Sequence, residues 1–265
     1  MLPMRWGVGR ERLRGIGKEG AVNIALIGYG KMGKEVERLA KEQGICVAKV
    51  FDVHNNTGAL GLTKEGLKGI DVCIEFSTPA AVIDNIESAA ECGKNIVVGT
   101  TGWYDRLEHV KKIVKEARIG LLYAPNFSLG VNLFMHLVSH AAHLFDKYPG
   151  YDVAVNEMHH RGKTDSPSGT ALSVASAILQ SMKRKSEILS ETSHGQIKAH
   201  QLHVSSARIG HVTGKHAVTF DSDADTIELV HTAKNRAGYA LGAIVAAEWL
   251  KGKKGLYTMR DVITL

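Results

Sequence analysis

Between Glu157 and Leu172 the chain reads EMHHRGKTDSPSGTAL. Histidine titrates near neutral pH and can hand a proton to a carbon that becomes basic during reduction. Lysine offers a point charge for a carboxylate and a second proton. Ser168 or Thr170 can cap a helix, with Gly169 allowing close approach, and such a helix end binds carboxylate through backbone N–H groups. His159, His160, Lys163, Ser168, Gly169 and Thr170 therefore suit a small dicarboxylate. On a strand, His159 and His160 would point to opposite faces, which disfavours one metal held by both. A zinc site from Glu157, His159 and Asp165 is the competing arrangement. Lys163 stands among those ligands and would repel a cation, and the helical spacing of a zinc protease is missing, so no metal is expected. A solvated polar loop is the plain alternative.

The flanking segments show what must position these residues. YDVAVNEMHH reads as a strand running into the motif, and ALSVASAILQSM as the helix that leaves it. GVNLFMHLVSHAAHLF is a helix that brings the chain there. KRKSEILSETSHGQIKAHQ is polar and is expected to be a loop. Three strand-like runs follow, LHVSSARI, KHAVTFDS and DTIELVHTA, and then an alanine-rich helix, GYALGAIVAAEWLKG. This half reads as an α+β unit.

The first half has a different rhythm. VNIALIGYGKMGKEVERLAKEQG places a β-type run, Val22 to Ile27, before glycines at 28, 30 and 33, and then a helix to about Gln43. That is the G-x-G-x-x-G dinucleotide fingerprint between a strand and a helix. Gly28 serves the tight turn, Gly30 the approach of the pyrophosphate, and Gly33 the packing of helix on strand. A second strand, CVAKVFD, ends in Asp52, 19 residues past Gly33, where an acid can accept from ribose hydroxyls. Val53 and His54 follow, with no arginine to hold a 2′-phosphate, so the sequence leans to NAD over NADP. IDVCIEFS is a buried strand, TPAAVIDNIESAAECG a helix with Pro79 near its start, NIVVGTTGW a strand and turn, YDRLEHVKKIVKEARIG a helix, and LLYAPNF the next strand. The alternation predicts a Rossmann-type, doubly wound parallel sheet. Ligands of such sheets lie beyond the carboxyl ends of the strands, which makes Gly99–Thr101 and Ala124–Phe127 candidate cofactor contacts.

The fold expected is thus α/β: an N-terminal doubly wound sheet over 21–128 completed by a C-terminal helix over 237–265, and an α+β substrate domain over 129–236. Residues 1–20 are basic and glycine-rich without the apolar core of a secretory signal, and are expected to be a disordered extension. They hold five Lys/Arg and two Asp/Glu, so they supply +3 of the net +6. The remaining body is near balance, which argues against a nucleic-acid partner. No run of about 18 apolar residues predicts a membrane span. Cys46, Cys73 and Cys92 lack CxxC spacing and are expected to be buried, reduced thiols of a cytoplasmic protein.

Taken together, GYGKMG, EFSTP, GTTGW, APNFSLGVN, EMHHRGKTDSPSGTA, IELVHTAKNR and the closing GLYTMRDV closely resemble the dihydrodipicolinate reductase family, from about Val22 to Leu265. The resemblance implies NADH- or NADPH-dependent reduction of 4-hydroxy-tetrahydrodipicolinate in lysine and diaminopimelate biosynthesis. It implies that His159 is the general acid, that Lys163 donates a proton and holds a carboxylate, and that His160, Ser168, Gly169 and Thr170 contact the substrate. It assigns Gly28, Tyr29, Gly30, Lys31, Met32, Gly33, Asp52, Gly99, Thr100, Thr101, Ala124, Pro125, Asn126 and Phe127 to the nicotinamide cofactor, and it implies a homotetramer built by the second domain. Two positions depart from many relatives: Lys31 replaces an arginine, and Val53 replaces a basic residue after the acid. Both bear on the choice between NADH and NADPH. A dehydrogenase of another small amino-dicarboxylic acid is the alternative within enzymes. An NAD-sensing regulator would need a basic face or a DNA-binding helix pair, and the near-neutral body offers neither.

Overall fold

The computed structural model describes residues 22–263, so the expected extension over 1–20 lies outside the described residues. The chain divides into two compact units, one formed by residues up to Pro125 and from Ala240 onward, the other by Asn126–Tyr239.

The first unit is a six-stranded, all-parallel sheet. Its strands are β1 (Asn23–Ile27), β2 (Cys46–Phe51), β3 (Val72–Glu75), β4 (Asn95–Val98), β5 (Gly120–Tyr123) and β11 (Gly255–Tyr257), in the order β11-β5-β4-β3-β1-β2. The connecting helices are α1 (Lys31–Glu42), α2 (Val82–Glu91) and α3 (Leu107–Ala117). The central strands read as continuous apolar runs because both of their faces are covered: Val72–Glu75 is buried at every position. The order reverses between β1 and β3, and such a switch point opens a crevice beyond the strand ends. Gly28 and Phe76 follow these two strands and meet there. The Phe76 N–H donates to the Ile27 carbonyl at 2.8 Å, and a Cβ on Gly28 would stand 2.2 Å from the Phe76 carbonyl oxygen.

The second unit is a mixed sheet in the order β10-β9-β6-β8-β7, from β6 (Asp152–His159), β7 (Glu187–Leu189), β8 (Gln201–Arg208), β9 (Lys215–Asp221) and β10 (Thr226–Thr232). β8 runs parallel to β6, and β9 antiparallel to it. Helices α4 (Leu129–Phe145) and α5 (Gly169–Ser181) cover one face. Phe134, Val138, Val174 and Ile178 pack there on Val153, Val155, Val204, Val218 and Phe220.

Several expectations are corrected. The C-terminal segment is not one helix: α6 (Ala237–Leu250) ends near Gly252, and β11 and the short α7 (Met259–Ile263) follow. Gly252 and Gly255 take positive φ, which stops the helix and lets the chain add a strand beside β5. The polar stretch after α5 contains strand β7, which pairs with β8. In that stretch Lys185 is buried, its Nζ 2.5 Å from an Asp152 carboxylate oxygen and 2.7 Å from the Gln201 carbonyl. A buried ammonium needs such partners, and residue type alone did not announce them. Helix α2 starts three residues after Pro79, in a turn closed by Thr78. Only Cys73 is buried. Cys92 is half-buried, and Cys46 is exposed because β2 is an edge strand of the sheet; all three are free thiols.

Gly28 has φ +91°, a region costly for any residue with a Cβ, in addition to the contact with Phe76. Gly28→Ala is expected to lower unfolding stability by about 2 kcal/mol or more. Gly30→Ala, where a Cβ meets nothing within 4 Å, should unfold with the parent. Urea midpoints compare the two, and equal midpoints would contradict this account of the turn.

Candidate active site

In the first unit the glycine loop leaves a helix end uncovered. Gly30 is the N-cap of α1 and offers no side chain, and no acid stands in the first turn. The leading N–H groups of α1 therefore face outward, as an anion site requires. The space that a Cβ on Gly30 would fill is empty, while a Cβ on Gly33 would lie 2.3 Å from the Gly28 carbonyl oxygen. Both features fit a pyrophosphate laid on the backbone. Tyr29 turns away and donates its hydroxyl proton to Glu37, while Lys31 is exposed and Met32 half-buried. Asp52 follows β2; one of its carboxylate oxygens accepts from the His54 N–H at 2.8 Å.

Gly99, Thr100 and Thr101 follow β4. A Cβ on Gly99 would strike the Phe76 ring at 2.0 Å, so the turn closes directly on that ring. Thr100 is buried and its carbonyl accepts from the Trp103 indole at 2.8 Å, while Thr101 is exposed. Glu75, fully buried at the end of β3, accepts from the Ser77 N–H at 2.9 Å and from its hydroxyl. Burial pushes its pKa up. Glu75 and Phe76 were not singled out from sequence, though both lie in EFSTP. Ala124 is buried and Pro125 exposed, at the end of β5.

Asn126 and Phe127 belong to the second unit. The Asn126 side chain donates to the Thr170 hydroxyl at 3.4 Å and accepts from the Ser128 N–H at 2.9 Å, and Phe127 is buried. Asn126, expected at the cofactor, thus stands beside Thr170, expected at the substrate.

The chemistry of the second unit concentrates at the carboxyl end of β6. On the helix-covered face the strand reads Val153, Val155, Glu157, His159, turning from apolar to ionisable while remaining buried. Its neighbours change in step, because register pairs His159 with Arg208 on β8 and Glu157 with His216 on β9. Glu157 has no exposed surface. One oxygen pairs with His159 Nδ1; the other accepts from Arg208 Nη2 at 2.8 Å and from the Ser168 N–H at 3.3 Å. Burial works to raise this carboxyl's pKa, but hydrogen bonds from Ser206, Arg208 and His159 outweigh it and hold the group ionised below its usual range.

Ser168, rather than Thr170, is the N-cap of α5, its Oγ accepting from the Ala171 N–H at 3.1 Å. The same oxygen lies 3.3 Å from His216 Nε2. Burial lowers the His216 pKa to about 4, so it is neutral at pH 7 and can take the serine hydroxyl proton on Nε2. Its ring meets that of His159 edge-on with centroids 5.3 Å apart. His160 follows β6 and is exposed. Lys163 is tied by its N–H to the His160 carbonyl at 3.1 Å and by Nζ to Asp165 at 2.8 Å. Lys163 and the Gly169 N–H hold the Asp165 carboxyl below its usual range. An internal anion thus already sits between the lysine and the helix end.

Asp165 is therefore not a partner of Glu157 and His159, contrary to the zinc arrangement weighed from sequence. The group that could ligate an ion is Glu157, His159 and His216, with one atom of each within 4.8 Å of the others. In this structure Glu157 accepts from Arg208 and the Ser168 N–H and pairs with His159, while His216 Nε2 meets the Ser168 hydroxyl. Arg208, His216 and Gly214 were missed from sequence; the alternation of SARIG and KHAVTF marked the strands, but only register could bring them to His159.

A parallel sheet with a glycine loop in one unit, and a buried histidine–carboxylate pair near a helix N-terminus in the other, fit a pyridine-nucleotide-dependent reductase. The chain belongs to the dihydrodipicolinate reductase family: the family's N-terminal model matches residues 22–127 and its C-terminal model residues 130–263. The chain is 41% identical over 244 residues to the 4-hydroxy-tetrahydrodipicolinate reductase of Christiangramia forsetii, covering 92% of this chain and 98% of that one. It is 37% identical over 252 residues to the enzyme of that name from Archaeoglobus fulgidus, covering 88% and 96%. Among solved structures, the fold matches dipicolinate-bound dihydrodipicolinate reductase from Paenisporosarcina sp. TG-14 with a TM-score of 0.71 at 24% identity, over 92% of this chain and all of that one.

The neutral, buried His216 carries a consequence for stability. Its folded pKa, about 4, lies below its ordinary 6.5, so below pH 6.5 the unfolded chain takes up a proton that the folded chain refuses. Stability is expected to fall as pH drops from 6.5 to 4, and His216→Asn should flatten that part of the profile. Melting temperatures across this range check it; an unchanged slope in the variant would remove His216 from the effect.

Proposed function

We propose that this chain catalyses the NAD(P)H-dependent reduction of 4-hydroxy-tetrahydrodipicolinate to tetrahydrodipicolinate, in lysine and diaminopimelate biosynthesis. The observation that carries the residue roles is the buried Glu157–His159 pair placed one loop away from an anion site made by Lys163 and the first turn of α5.

Reduction of this substrate adds a hydride and a proton and releases water. When bound, the reduced nicotinamide supplies the hydride. The chain's own residues do the rest. As hydride adds to one carbon of the unsaturated ring, negative charge builds on the adjacent conjugated position, and His159 delivers a proton there. Lys163 and the N–H groups of Gly169 and Thr170 hold a substrate carboxylate in the place that Asp165 now takes, with His160 at the rim. Gly28–Gly33, Asp52, Gly99–Thr101 and Ala124–Phe127 form the dinucleotide side. Val53 after Asp52 supports NADH as the preferred donor, with NADPH also used. No metal takes part on this reading. Edge strand β10, with Ile227 and Val230 exposed, supports assembly into a homotetramer through the second unit. The enzyme is cytoplasmic on this reading; no described helix is long and apolar enough to cross a membrane.

His159→Gln is expected to lower kcat by about 10²-fold or more, the scale of lost general acid catalysis. Lys163→Ala should raise KM for the dicarboxylate and lower kcat together, and a chelator should leave the parent rate unchanged. Steady-state kinetics with both variants test the assignment. A parent-like kcat in His159→Gln removes the acid role, and unchanged constants in Lys163→Ala remove the carboxylate site.

A further inference from the structure

The contacts beneath His159 assign a role to a residue outside the family motif's catalytic pair, and the inference rests on the acid role of His159 proposed above. We propose that Glu157 is the positioning residue of the reaction. It fixes the His159 ring and tautomer so that Nε2 is the nitrogen that gives up the proton, with Arg208 as its counter-charge and Gly214 leaving room at Nε2.

Glu157 does not touch any surface a substrate could reach, since it has no exposed area. Its partners are donors: Arg208 Nη2 at 2.8 Å, the Ser168 N–H at 3.3 Å, the Ser206 hydroxyl and His159 Nδ1. An ionised carboxylate only accepts, so His159 Nδ1 must carry a hydrogen in this pairing. The nitrogen whose proton can come and go is then Nε2. That atom faces Gly214, where a Cβ would stand only 3.0 Å away, with His159 Cδ2 at 3.3 Å. Gly214 leads into β9 and is pinned by the Ala233 N–H on its carbonyl at 2.8 Å, so the backbone there does not move aside cheaply. The imidazole of His216 meets His159 edge-on and is held by Ser168.

Three elements build this arrangement. β6 carries Glu157 and His159 two residues apart on one face, β8 brings Arg208 opposite His159, and the turn into α5 supplies the Ser168 N–H. A carboxylate serving packing alone would be satisfied by Arg208 and that N–H. Its second oxygen is given to the histidine, which orients the ring in the way carboxylate–histidine pairs do elsewhere.

The test is a double-variant cycle on the full chain with Glu157→Gln, His159→Gln and both together, reading kcat, both KM values and melting temperature. Glu157→Gln is expected to lower kcat about 10- to 100-fold, the usual scale for removal of an orienting partner, with both KM values within about threefold. Added to His159→Gln, it should cost nothing further, because it acts through that ring. Nitrogen–proton correlation spectra should show a single His159 tautomer with Nδ1 protonated in the parent and a mixture in Glu157→Gln. An equal loss in both backgrounds assigns Glu157 to structure alone and overturns the proposal, as does a parent-like kcat in Glu157→Gln. If that variant fails to fold, Glu157→Gln with Arg208→Met removes both charges together and is read by the same cycle. A parent-like kcat in His159→Gln overturns the acid role and this proposal together; a loss there with an active Glu157→Gln overturns only the positioning.

Discussion

A carboxylate with no exposed surface must find its partners inside the protein, and Glu157 finds them on three different elements. Arg208 comes from β8, the Ser168 N–H from the start of α5, and His159 from its own strand. Leaving any of these unmade would strand a charge in the interior, a cost of several kcal/mol. The second unit is therefore organised around this one group. The register of β6 between β8 and β9 decides which side chains reach it, and the cap of α5 is set by the same contact. Ser168 serves both sides, accepting from Ala171 to begin the helix and meeting His216 across from it.

The first unit depends on a steric constraint rather than a charge. Its chain reverses direction of winding between β1 and β3, and the loops that follow β1, β3 and β4 share one small space. Gly28 and Gly99 both give way to Phe76, one to its carbonyl and the other to its ring. With those side chains absent, the loops lie low and the end of α1 stays open. Glu75 and Ser77 tie the same loop down from below, and Asn85 of α2 donates to the Ser77 hydroxyl at 3.1 Å.

The doubly wound sheet was legible because its signals are local: apolar runs of strand length, glycines at fixed offsets, and helices that alternate with them. The motif from Glu157 to Thr170 was legible for the same reason, and the shared face of Glu157 and His159 followed from strand period alone. What sequence did not disclose was set by partners distant along the chain. Arg208 and His216 reach His159 only through strand register. Asp165 was weighed as a metal ligand with Glu157, but its carboxylate is taken by Lys163. Lys185 sits in a stretch that reads as polar loop, yet it is buried against Asp152 and Gln201. β11 was hidden in a short C-terminal segment whose pairing with β5 is decided by the glycines around it.

The proposed reduction of 4-hydroxy-tetrahydrodipicolinate needs both hydride from a nicotinamide cofactor and a proton from His159. The most direct measurement follows absorbance of NADH or NADPH while the substrate is generated in place from pyruvate and aspartate semialdehyde by the corresponding synthase. The account predicts oxidation that depends on the synthase, faster with NADH than with NADPH. Tight binding of the cofactor without synthase-dependent oxidation would contradict it, leaving the nucleotide fold standing and the substrate assignment refuted.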